Sequence, residues 1–430
     1  MARKIFIFFI ILFLWCAYAH KASAQETLAW QDCIKESQKN HPDLISAEEA
    51  IKQSEASKKI TTSTLFPQID SSVGGSTDKT TTTTSGVKTS RTIDSYTYGV
   101  TGTQLLFDGL KTLNNVNAAT QNIRAAQYNF RFTSTEVRLR LRTAFINLLK
   151  AQESLNITQE IYNIRRGNLE LITLRYESGI EHKGALLTAE ANLAAAEFEI
   201  RQAKRDLEVA QRELMKEMGR TQFTAVCVEG DFKVSDMALE KPDFEALAKN
   251  NPSLGKLTAQ KNAAAFGIKA AKANFLPQLS AQSGVSRKSD HWPPQDDQWD
   301  AGLTLSFPIF EGGLRLAEVG QARAIFNQAQ ANARSTKDSI LVTLEQAWAA
   351  IQDAVETVEV QRKFLVAAQE RAKIAEAQYS LGLIQFDSWT IIEDYLVSAK
   401  KAYLNAQANA LLAESNWVQA KGEILEYAQK

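Results

Sequence analysis

The chain has 430 residues and a balanced charge of 49 basic and 49 acidic side chains. That balance argues against a nucleic-acid partner. Three cysteines with no C-x-x-C exclude a disulfide framework. At the start, Arg3 and Lys4 precede an apolar run from Ile5 to Trp15, and Ala22-Ser23-Ala24 offers a small-x-small cleavage pattern before Gln25. Ala17-Tyr18-Ala19 offers a second cut. Cys16 raises a lipoprotein alternative, against which Trp15 stands where a lipobox wants a small residue. The run falls short of the ~20 residues a spanning helix needs, and no later stretch approaches that length. Residues 1–24 are therefore expected to be a signal peptide, and no helix is expected to anchor the exported chain.

The remainder reads as two copies of one unit. Asn40-His41-Pro42-Asp43-Leu44 recurs as Asn250-Asn251-Pro252-Ser253-Leu254, and Leu65-Phe66-Pro67-Gln68-Ile69 as Phe275-Leu276-Pro277-Gln278-Leu279. Phe107-Asp108-Gly109 matches Phe310-Glu311-Gly312, Tyr176-x-x-Gly179 matches Tyr379-x-x-Gly382, and Gly219 matches Gly422. The offset falls from 210 to 203 between Ile69 and Phe107, and the Thr-rich stretch there predicts a polar loop for the extra residues. The first repeat spans 25–219 with a β-hairpin at about 69–107. A linker follows over 220–241, and the second repeat spans 242–430 with a hairpin at about 278–308.

Each copy predicts short helices, a strand pair and a long helical hairpin. No proline falls between Pro67 and Pro242 or after Pro308, and both tracts are rich in strong helix formers. Leu110 to Ser178 and Leu314 to Leu381 each predict a rod of roughly 100 Å. Returning helices are predicted at about Ala185 to Met218 and Ser388 to Tyr427. Val137, Leu141, Ala144, Leu148 and Ala151 form an apolar stripe at steps of 3 and 4, as do Leu186, Leu193, Ala196 and Ile200. Rods of this length bury such stripes against one another, in coiled-coil-like packing.

Before each rod the period changes to 2. Tyr96, Tyr98 and Val100 alternate with small polar residues, as do Leu279, Ala281, Ser283 and Val285, and then Trp299, Ala301, Leu303, Leu305 and Phe307. Thr77 to Arg91 and Arg287 to Gln298 read as hairpin loops. One apolar and one polar face on strands of about ten residues suit a barrel with lipid outside and water inside. Four strands cannot close a barrel, so other chains must complete it.

The repeated order of short helix, N-x-P, L/F-P-Q, hairpin, F-[DE]-G, long helix, Tyr-x-x-Gly and long helix resembles the TolC family of outer-membrane channels, over essentially the whole mature chain. The resemblance implies an α+β membrane protein in which long antiparallel helical hairpins form an α-barrel. It further implies four transmembrane strands per chain in a homotrimeric twelve-stranded β-barrel. It places the protein in a Gram-negative outer membrane with a large periplasmic part. Its expected role is a passive exit duct for efflux or type I secretion, in contact with outer-membrane lipid, a periplasmic adaptor and an inner-membrane pump. A periplasmic coiled-coil adaptor or scaffold without a pore is the alternative.

The resemblance also suggests residue roles. Arg175, Tyr176, Gly179, Ile180, Gln378, Tyr379, Leu381, Gly382 and Leu383 become adaptor-docking candidates at the periplasmic tips. Gly179 and Gly382 fit helix C′ positions, where glycine takes positive φ cheaply. Many members carry an Asp about six residues beyond each tip glycine, where rings of Asp constrict the pore; here those positions are Ala185 and Ser388. The acidic neighbours Glu181, Asp387, Glu393 and Asp394 are the gate candidates, Asp387 foremost. A helix N-cap is the other reading of Asp387. Asp108, Gly109, Glu311 and Gly312 mark strand-to-helix bends. Cys33 and Cys227 are open to a disulfide or to two free thiols. The mature histidines His41, His182 and His291 lie in separate regions, and no P-loop or G-x-S-x-G occurs. No catalytic residue, metal or cofactor is expected.

Overall fold

Long proline-free tracts of helix formers and a shorter tract of alternating Tyr, Val, Thr and Gly give this chain two textures, and the structure keeps them apart. It is a computed structural model describing residues 26–234 and 241–425. The expected signal peptide, part of the 220–241 linker and Tyr427 lie outside the described residues. In chain order come β1 (Glu26–Leu28), α1 (Trp30–Asn40), α2 (Pro42–Ser63), β2 (Gln68–Thr84), β3 (Val87–Phe107), α3 (Lys111–Glu177) and α4 (Lys183–Glu217). Then follow β4 (Val226–Val228), α5 (Phe244–Asn250), α6 (Pro252–Ala273), β5 (Gln278–Ser289), β6 (Asp296–Ser306), α7 (Leu314–Ser380) and α8 (Phe386–Ala420). The rods α3 and α7 have 67 residues each and the returning helices α4 and α8 have 35 each. Among the described residues no helix is long and apolar enough to cross a membrane.

The duplication is visible in how helices stop. After each of the four long helices a glycine takes positive φ, at Gly179, Gly219, Gly382 and Gly422. Around each, the following N–H reaches back five residues, as in Ile180 N–H to Arg175 O at 2.8 Å and Leu383 N–H to Gln378 O at 2.8 Å. These are Schellman caps, which satisfy the last carbonyls of a helix. The two compact units of the chain do not coincide with the two sequence copies. One takes the described residues up to Ile45 with Thr133–Phe244 and Val342 onward, the other Ser46–Phe132 with Glu245–Leu341.

The first unit is helical, with β1 pairing parallel to β4 beside it. Around the helix ends, Ser37 donates to the Glu217 carbonyl at 3.0 Å, and His41 and Arg140 lie 3.3 and 3.2 Å from the Glu217 carboxylate. Burial alone would push Glu217 up. Hydrogen bonds from Lys216 and His41 and the Arg140 charge outweigh it and hold the carboxyl below its usual range. Arg220 bridges Glu26 and Glu36 through four contacts of 2.6 to 2.9 Å. Cys33 and Cys227 are both free thiols, and burial pushes Cys33 up to about 12.

The second unit holds a sheet in the order β2-β3-β5-β6, antiparallel throughout, with β3 against β5 joining the two copies. The register puts the three apolar stripes on one face, since Val100 faces Val285 and Val285 faces Trp299, while Leu279 faces Leu305. Trp299 and Leu303 are 80% and 70% exposed there, as a lipid-facing surface requires. The apolar stripe ends at Tyr96 and Gly75, about ten residues from Phe107. At ~3.4 Å per residue and a ~45° tilt that band is about 25 Å tall.

Beyond the band two expectations fail. Thr77 to Arg91 is not a loop: β2 and β3 run on as a paired ribbon to Thr84 and Val87. β-Branched threonines favour strand, and hydroxyl bonds such as Thr81 to Ser90 at 2.7 Å tie the ribbon. Ser85 and Gly86, at φ 51 and 87, make its two-residue turn. Likewise β5 reaches Ser289 and β6 begins at Asp296, so the second loop is shorter than expected. The extra residues of the first copy are strand, not loop.

Candidate functional site

At the hairpin ends, sequence dictates a turn and packing then fills it. Gly179 and Gly382 terminate α3 and α7, and α4 and α8 restart after N-caps at His182 and Gln385. The His182 Nδ1 accepts from Ala185 N–H at 3.1 Å. Helix α8 starts earlier than expected, because Phe386 and Trp389 are buried in a cluster with Ile172, Ala185, Ala189, Ala375 and Tyr379. Asp387 is therefore not the cap; it sits exposed in the first turn, where an acid still suits the helix dipole.

The two tyrosines of the Tyr-x-x-Gly turns take different roles. Tyr379 is 1% exposed, stacks on Trp389 at 4.5 Å and 9°, and donates to Glu181 at 2.9 Å. The Arg175 guanidinium lies 4.7 Å over its ring. Burial, and the bond to Glu181, push the Tyr379 hydroxyl well above the ordinary phenol range. Tyr176 is exposed, together with Ile180, Leu381 and Leu383. Gln378 is exposed as well.

The gate candidates separate in the same way. Glu393 is buried on α8, accepts from Asn168 at 2.8 Å and lies 3.6 Å from Arg165, which also reaches Asp394 at 2.5 Å. Burial pushes Glu393 up, against the pull of Asn168 and Arg165. Glu181 is turned inward to Tyr379. Asp394 is exposed but paired. Asp387 is exposed, and no ion pair restrains it among the described residues. Sequence reasoning missed Arg165, Asn168, Phe386 and Trp389; an aromatic pair three apart beside the tip was the available signal.

The strand-to-helix bends match expectation in kind. Asp108 Oδ2 accepts from the backbone N–H of Thr112 at 2.7 Å and from its hydroxyl at 2.5 Å. A Cβ on Gly109 would lie 2.7 Å from Leu276 Cβ and 2.9 Å from Ala273 O, so only glycine fits. Gly312 and Gly313 take φ 61 and 89, whereas the first copy has Leu110 forced to φ 68. Glu311 pairs with Arg315 in the first turn of α7. No group of three or more possible metal ligands occurs among the described residues.

The family profile described as outer membrane efflux protein matches residues 33–220 and 244–425. The chain belongs to that family. The channel is 22% identical over 412 residues to the outer membrane efflux protein BepC of Brucella suis, covering 94% of this chain and 84% of that one. It is 25% identical over 304 residues to the outer membrane protein TolC of Escherichia coli, covering 67% and 62%. Its fold matches the outer-membrane channel OprN at a TM-score of 0.81 and 17% identity, covering 94% of each chain. The protein is an exit duct of the Gram-negative outer membrane with a large helical periplasmic part. Members of the family are channels rather than enzymes.

Proposed function

We propose that the channel works as a homotrimer in a tripartite export system, with its tips docked on a periplasmic adaptor joined to an inner-membrane pump. The four-stranded sheet carries this reading: one face is apolar, the other polar, and both edge strands, β2 and β6, lack a neighbour within the chain. An open edge cannot face lipid, because each unpaired backbone group there costs several kcal/mol. Pairing β6 of one copy with β2 of the next removes every edge, and three copies give twelve strands around a water-filled lumen.

At the tips, Tyr176, Ile180, Gln378, Leu381 and Leu383 are exposed and suit an adaptor surface. Gly179 and Gly382 shape the turns, while Arg175 and Tyr379 support them from beneath. Asp387 is the favoured gate residue, being the one of the four gate candidates with no ion pair among the described residues; Glu181, Glu393 and Asp394 hold the tip together through Tyr379, Asn168 and Arg165. Export of small molecules and secretion of a protein use the same duct and differ in the pump behind it.

Single-channel conductance in a planar bilayer, with the mass of the detergent-solubilised particle, tests the reading. Discrete conductance from a trimer-sized particle is expected, and Asp387→Asn should change its magnitude without changing the mass. A water-soluble monomer that never conducts would overturn it.

A further inference from the structure

The pairing register carries a second message on the polar face of the sheet. Asp70 faces Thr101, Thr101 faces Gly284, and Gly284 faces Asp300, so these four residues form one rung from edge strand β2 to edge strand β6. The neighbouring polar-face rungs are uncharged: Gln68, Thr103, Gln282 and Gly302 on one side, Ser72, Gly99, Ser286 and Gln298 on the other. One rung further out, Lys288 faces Asp296 and the charges cancel. Toward the strand-to-helix end the polar face continues as Ser280 with Thr304 and Gln278 with Ser306. Across the lipid-spanning band, Asp70 and Asp300 are the uncompensated charges.

Asp300 is also positioned. A Cβ on Gly284 would lie 2.7 Å from Asp300 Oδ1 and 3.5 Å from Thr101 Oγ1, so the carboxylate occupies the space that the bare glycine leaves. The aspartates stand on the two strands that have no partner within the chain. When β6 of one copy meets β2 of the next, each seam carries an aspartate on either side.

We infer that Asp70 and Asp300 make the barrel lumen selective for cations over anions, as a girdle of two carboxylates per copy. This rests on the closed trimeric barrel proposed above. Twelve strands ~4.8 Å apart and tilted by ~40° enclose a backbone radius of about 12 Å. The screening length is about 30 Å at 0.01 M salt and about 3 Å at 1 M. At low salt the field of six carboxylates fills the lumen, and at high salt it does not reach the axis.

The test is the reversal potential of single channels in a planar bilayer under a KCl gradient. The wild type is expected to pass potassium over chloride at about 0.01 M and to lose most of that preference at about 1 M. Asp70→Asn with Asp300→Asn should lower the permeability ratio at least about twofold at low salt. Each single variant should account for part of that loss, which keeps the test sound if the double variant inserts poorly. Asp300→Lys should lower the ratio further. A wild-type ratio in the Asn variants overturns the inference, above all if Asp387→Asn abolishes the preference. A wild type that neither trimerises nor conducts fails earlier, and refutes the duct reading itself.

Discussion

Gly219 is where two demands on one residue can be separated. It ends α4 at φ 78, and a Cβ there would lie 2.4 Å from Asn40 O, 2.6 Å from Asn40 C and 3.0 Å from His41 N. Those atoms are backbone, so no rotamer change relieves the contact. For Gly219→Ala the left-handed conformation costs roughly 1–2 kcal/mol. Backing the helix end away also loosens the Ser37 bond to Glu217 O and the pairing of the buried Glu217 carboxylate, another ~1–3 kcal/mol. A total of about 3–4 kcal/mol is some two to three powers of ten in local opening. Cys33 reports that opening without any added probe, being fully buried on α1. Iodoacetamide labelling followed by peptide mass spectrometry should show Cys33 protected in the wild type and at least ~100-fold faster in Gly219→Ala. Gly219→Asn decides the cause, because Asn tolerates the left-handed region yet still carries a Cβ. It is expected to label nearly as fast as the Ala variant; a wild-type rate in the Asn variant would refute the close-approach explanation.

Other outcomes follow from particular contacts. Leu110→Gly should stabilise the detergent-solubilised protein by about 1 kcal/mol in thermal melts, because Leu110 is exposed and held at φ 68 where the second copy has Gly313. Leu303→Arg should destabilise folding into liposomes by about 2–4 kcal/mol, whereas Thr304→Arg on the polar face should be tolerated, as urea titration will show. For Glu393 the carboxyl is raised in the fold, so the folded state holds its proton longer than the unfolded chain does. Its share of stability is present below 4.5, the unfolded value, and is lost as pH rises through the folded value. Hydrogen-exchange protection at the tip, taken relative to the intrinsic amide rate at each pH, should fall over that rise, and Glu393→Gln should flatten the fall. Glu217 has the opposite sign: its lowered carboxyl contributes stability above 4.5 that is lost as pH falls below it.

Periodicity and punctuation determined the element types. A change from steps of 3 and 4 to steps of 2 marks where helix gives way to strand, and that change is local in the chain. The positions of Gly179, Gly219, Gly382 and Gly422 likewise fix where helices end, because the positive φ after a helix is a single-residue property. The alternation at Trp299, Leu303 and Leu305 identified the lipid face before any neighbour was known.

Tertiary structure decided what pairs with what. Thr80 to Thr84 is polar enough for a loop and β-branched enough for a strand, and cross-strand partners resolve that tie. Tyr176 and Tyr379 occupy matching places in matching motifs, yet only Tyr379 meets a Trp389 to stack on, so one is exposed and the other buried. Glu393 and Asp387 are both acids near one turn; Arg165 and Asn168, distant in sequence, draw the first inward and leave the second free. Asp70 and Asp300 lie far apart in sequence and share a rung only through three successive strand pairings. Backbone preference and apolar period act over a few residues and can be read along the chain. Register, burial and charge pairing depend on residues that only the fold brings together.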